Sequence, residues 1–64
     1  MERNDDPAPQ FAFCVDNSGY PASLEVFKLY QILRDDGAAG EGELRVVDDS
    51  GEDYLYSARR FVPI

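Results

Sequence analysis

Apolar and polar positions alternate most clearly in the last third of the chain. Leu44-Arg45-Val46-Val47 and Tyr54-Leu55-Tyr56 flank Asp48-Asp49-Ser50-Gly51. β-Branched and aromatic residues suit a pleated, half-buried surface. Asp and Ser between them bond their own backbone, and Gly accepts a positive φ. The pattern therefore predicts a β-hairpin with a loop of three to five residues, and Gly51 is the place for a bulge. Tyr54 and Tyr56 share one face of the second strand and Leu55 takes the other. Ser57-Ala58-Arg59-Arg60 fits a single 3₁₀ turn. Phe61-Val62-Pro63-Ile64 then closes the chain as a short strand, with Pro63 suited to an edge.

Upstream, Phe11-Ala12-Phe13-Cys14-Val15-Asp16 alternates as a strand. Phe11, Phe13 and Val15 lie on one face, and the small Ala12 and Cys14 lie on the other, where a neighbour crowds them. Asn17-Ser18-Gly19-Tyr20-Pro21 is a loop, and its Tyr20 either folds back onto the core or is presented to a partner. Ala22 to Arg34 carries apolar residues on more than one helical face, and Ser23 lacks the Glu or Gln three positions on that would complete a capping box. Ala22, Leu24, Glu25, Lys28 and Leu29 are strong helix formers and weigh for a helix, and periodicity does not separate the two readings. A strand over Val26–Leu33 is the one that lets the rest of the chain close into one barrel. Asp35 to Glu43 reads as a loop of glycines and acids. Residues 1–10, with Pro7 and Pro9, read as an extended tail, because proline removes amide donors and disfavours helix before it. Residues 11–64 form the domain.

The elements add up to an all-β fold, a small barrel of about five strands with one 3₁₀ turn before the last. Candidate core residues are Phe11, Phe13, Leu24, Phe27, Leu29, Tyr30, Ile32, Leu44, Val46, Leu55, Phe61 and Val62. The order of strand, long loop, strand, short loop, hairpin, 3₁₀ turn and short strand resembles an SH3-like barrel. Gly51-Glu52-Asp53-Tyr54-Leu55-Tyr56-Ser57-Ala58-Arg59-Arg60-Phe61-Val62 is similar in layout to the end of that fold. The first strand and the absence of tryptophan depart from the peptide-binding SH3 pattern, as do Ser57 in place of a proline and Phe61 in place of a tyrosine. The resemblance therefore implies the barrel without polyproline recognition. Val15 to Ile64 also resembles small uncharacterised bacterial proteins through Asn17-Ser18-Gly19-Tyr20, Ala22-Ser23-Leu24-Glu25 and Gly51-Glu52-Asp53-Tyr54-Leu55-Tyr56, a resemblance that implies no chemistry.

Charge narrows the partners. With 6 basic residues against 13 acidic ones and no histidine, the formal charge is −7. Phosphate backbones are bound through Lys and Arg, so neither a nucleic acid nor an anionic membrane is expected as partner. The acidity keeps the chain soluble, or it draws a basic protein, as an acidic decoy or regulatory subunit does. A single cysteine, Cys14, forms no intramolecular disulfide, which places the chain in the cytoplasm. At 64 residues the chain is one marginal domain with little room for an enzymatic cleft.

Candidate chemistry is sparse. Cys14 has no histidine or adjacent base to activate it. Gly37, Gly40 and Gly42 are not followed by Lys-Ser/Thr, so no phosphate loop is present. Asp48, Asp49, Glu52 and Asp53 gather on one turn and offer oxygen ligands, but without EF-hand spacing. The expectation is a non-enzymatic module with no cofactor and an unidentified protein partner. Its contact surface is a cluster of Tyr20, Tyr30, Tyr54 and Tyr56 with the adjacent pair Arg59 and Arg60, since tyrosine combines contact area with a hydrogen-bonding tip. An exposed strand edge that pairs with another chain is a further possibility.

Overall fold

The computed structural model describes residues 10–64. Its elements are β1 (Gln10–Cys14), β2 (Leu29–Leu33), α1 (Asp36–Gly40), β3 (Glu43–Val47), β4 (Asp53–Ser57), a 3₁₀ turn (Ala58–Arg60) and β5 (Phe61–Pro63). The five strands form one antiparallel sheet in the order β4-β3-β2-β1-β5, curled into a half-barrel. The all-β class, the strand count and the 3₁₀ turn before the last strand are as expected. Of the expected tail, only Gln10 lies within the described residues, and it already belongs to β1.

The hairpin closes over five residues, Asp48 to Glu52, between the paired Val47 and Asp53. The Asp48 amide donates to the Glu52 carbonyl at 3.0 Å, and the Gly51 amide donates to Asp48 at 2.9 Å. Gly51 sits at φ 86, which an L side chain tolerates poorly. The 3₁₀ turn is capped by Ser57, whose Oγ accepts from the Arg59 amide. Pro63 lies in the edge strand β5, paired with Ala12.

Two expectations are corrected. The strand expected over Val26–Leu33 begins only at Leu29, and Ala22 to Lys28 run through turns. Bonds within the loop and one to the hairpin decide this: the Leu24 amide donates to the Tyr20 carbonyl at 2.9 Å, the Glu25 amide to the Tyr30 hydroxyl at 2.7 Å, and the Asp49 amide to the Ser23 carbonyl at 2.9 Å. Leu24 thereby turns inward and is fully buried. The loop expected over Asp35–Glu43 contains α1, capped by Asp35, whose Oδ1 accepts from the Ala38 amide at 3.0 Å. Ala38 is buried against the sheet.

The inner face of β1 is the one with small side chains. Ala12 and Cys14 are buried, whereas Phe11 and Phe13, expected in the core, stay on the outer face. Phe27, Leu29, Leu55 and Val62 are likewise outside the core. The physical reason is volume. Three rings fill the inside of the curl, with Phe61 edge-on to both Tyr30 (6.3 Å between centroids) and Tyr56 (6.1 Å). Only small residues opposite them leave the room that close packing requires. Leu24, Ile32 and Val46 complete the core, with Leu44 at its margin.

Candidate functional site

Three of the four tyrosines gather beside β4. Tyr20, from the loop after β1, sets its ring edge-on to that of Tyr56, 5.0 Å between centroids. Tyr54 lies two residues before Tyr56 on the same strand face. With Ser23, Asp48, Ser50 and Leu55 they line an open depression of about 400 Å³. Tyr56 is its floor and is buried, while Tyr20 and Tyr54 are half-exposed walls.

Asp48 holds this floor in place. It is 5% exposed, and one carboxylate oxygen accepts from the Tyr56 hydroxyl at 2.6 Å. The other accepts from the Ser50 amide at 2.9 Å and from the Ser50 hydroxyl. Burial alone would push the Asp48 carboxyl up. The Ser50 and Tyr56 hydrogen bonds outweigh that cost and hold it below the ordinary 3.8. Burial, reinforced by Asp48, pushes the Tyr56 phenol up to about 12.

The next residue does the same on the other side of the turn. Asp49 accepts from Lys28 Nζ at 2.6 Å and from the Tyr30 hydroxyl at 2.9 Å. Its amide donates to the Ser23 carbonyl, tying the hairpin to the loop before β2. Lys28 foremost, with Tyr30, holds the Asp49 carboxyl low against the cost of burial. The Tyr30 phenol is pushed up to about 12, mainly by burial. Tyr30 therefore belongs to the core and lies apart from the depression.

The arginines separate as well. The Arg60 guanidinium stacks over the Tyr20 ring, 4.8 Å from its centroid, and Nη1 donates to the Asp16 carbonyl at 3.2 Å. It braces the wall of the depression from behind. Arg59 is exposed and, with Asp16, Ser57 and Arg60, lines a different, polar hollow of about 310 Å³.

Each carboxylate of the acidic turn is thus engaged by another side chain of the protein. Asp48 and Asp49 each take a buried tyrosine, Asp53 pairs with Arg45 at 3.0 Å, and Glu52 accepts from the Tyr54 hydroxyl at 2.9 Å. Among the described residues no group of three or more acidic, cysteine or histidine side chains is placed to hold a metal ion. Cys14 is sealed under the sheet. Sequence reasoning missed Asp48, Ser50 and Ser23 as parts of this site. The available signal was two adjacent carboxylates opening a hairpin turn, which must bond in different directions.

No protein-family model, curated protein or solved structure matches the chain. No helix among the described residues is long and apolar enough to cross a membrane.

Proposed function

We propose that this chain is a non-enzymatic protein-interaction module, an SH3-like barrel that captures a protein partner in the Tyr20–Tyr54–Tyr56 depression. The carrying observation is the convergence of aromatic walls from two separate chain segments on one braced floor. Half-exposed tyrosines around a shallow hollow supply contact area at little entropic cost, the usual composition of a protein interface core. The strand order and the 3₁₀ turn support the SH3-like reading. The one cysteine fits a cytoplasmic setting, and the resemblance noted for Val15 to Ile64 favours a bacterial source.

Affinity capture with the wild-type chain and Tyr54→Ala tests the assignment. Tyr54 is half-exposed, so its loss leaves the core intact. The expected result is a discrete partner that survives high salt and is lost, by on the order of tenfold or more, with Tyr54→Ala. Undiminished capture by Tyr54→Ala and Tyr20→Ala overturns the surface.

A second reading rests on the charge. Lys28, Arg34, Arg45 and Arg60 each face a carboxylate, so the net −7 attracts a basic partner, as a decoy or regulatory subunit would. That binding falls steeply with salt, whereas the aromatic surface weakens little.

A further inference from the structure

The outer face of the β2-β1-β5 half of the sheet is apolar. Phe13 stands in register between Leu29 of β2 and Val62 of β5. One step along, Phe11 lies beside Gln31, and the Ile64 amide donates to the Phe11 carbonyl at 3.2 Å. Phe27 lies in the turn two residues ahead of β2, beside the end of β1, its amide donating to the Cys14 carbonyl at 2.7 Å. It is 79% exposed and sits at φ 69, in the left-handed region that bulky residues avoid. An aromatic residue held there buries little of its area inside one chain.

We infer that this face is covered by the same face of a second copy of the chain, in a two-fold dimer. Three observations select that occupant. First, Phe11, Phe13, Phe27, Leu29, Val62 and Ile64 together expose roughly 600 Å², the upper end of what a monomer leaves in one patch and most of one side of a standard interface. Second, none of these six side chains, nor the intervening Gln31, is charged. Two chains of −7 each can therefore meet here without bringing carboxylates face to face. A two-fold arrangement places like on like, which an apolar patch satisfies and a charged one does not. Third, a single core of this size is marginal, and a disulfide, a metal or a partner subunit is what adds to it. The lone cysteine is buried, and the described residues hold no metal-binding group. The face shares no residue with the tyrosine depression, so the two assignments stand or fall separately.

Sedimentation and thermal unfolding of the full chain over a wide concentration range test the dimer. The expected species has twice the 7.2 kDa chain mass, dissociates on dilution, and melts at a temperature that rises with concentration. Phe13→Glu places a charge at the centre of the face. Phe27→Gly removes the ring while suiting its backbone angle, and so keeps the test decisive if Phe13→Glu fails to fold. Each is expected to raise the dimer dissociation constant by on the order of tenfold or more, while Tyr54→Ala leaves it unchanged. A 7.2 kDa species at every concentration, with a constant melting temperature, overturns the inference and leaves the face to a different protein. A dimer indifferent to both face variants overturns it equally.

Discussion

Asp48 and Asp49 are adjacent in sequence yet serve opposite sides of the hairpin. Each accepts a hydrogen bond from the hydroxyl of a buried tyrosine, so the acidic turn is held by charge-assisted hydrogen bonds. The pH dependence follows from these pairs. Both carboxyls are held below 3.8 in the folded chain. Their contribution is complete above that value and is lost as the pH falls through the lower folded values. Tyr30 and Tyr56 act at the other end. Their phenols rise from 10.0 to about 12 on folding. That stability is complete below pH 10.0 and disappears as the pH rises through about 12. Urea midpoints measured across pH should therefore fall at both ends, and tyrosinate absorbance should rise with unfolding in the alkaline limb. Ionisation of all four tyrosines near pH 10 with the fold intact would contradict this burial.

At the scale of elements, α1 shows how a five-residue helix survives despite its length. Two of its residues are glycine, and so short a helix does not form alone. Asp35 holds it from both sides: Oδ1 caps the Ala38 amide, and Oδ2 accepts from Arg45 Nε at 2.8 Å. Arg45 also reaches Asp53 on β4, so one arginine links the helix cap to two strands. Asp35→Ala should cost about 1 kcal/mol through the cap, with a further loss as Arg45 gives up one of its two carboxylates. The check is a denaturation midpoint compared with that of Asp36→Ala, whose exposed side chain caps nothing and should change little. The helix escaped the sequence pattern because its hold on the sheet is one small buried side chain, Ala38, and a polar link from β3, and five residues are too few to show an apolar period.

For the molecule as a whole, the decisive quantity is how little it buries. Nine apolar side chains among the described residues are buried, and a single core in this size class rarely supplies more than about 3–5 kcal/mol. Leu24 is fully buried in that core, although it lies outside every strand and helix. Leu24→Ala should cost about 2–5 kcal/mol, enough to leave the chain largely unfolded by circular dichroism at ambient temperature. A cooperative transition retained near the wild-type midpoint would show that the core has reserves its size does not suggest.

The hairpin, the 3₁₀ turn, the closing strand and the alternation of β1 were legible because each depends on neighbours in sequence: turn chemistry, capping, and the period of two that sends side chains to opposite faces. Tyr54 and Tyr56 could be placed on one face for the same reason, and Tyr20 could be singled out as an aromatic in a polar loop. Which face of β1 turned inward was not legible. Phe11 and Phe13 are the more hydrophobic pair, but volume decides, and the volume is taken by rings arriving from β2, β4 and β5. The separation of Tyr30 and Tyr56 into the core, and of Tyr20 and Tyr54 onto the surface, likewise follows from contacts distant in the chain. Periodicity determined which residues share a side. Only the curled sheet decided which side excludes water, because burial depends on the neighbours that folding brings together.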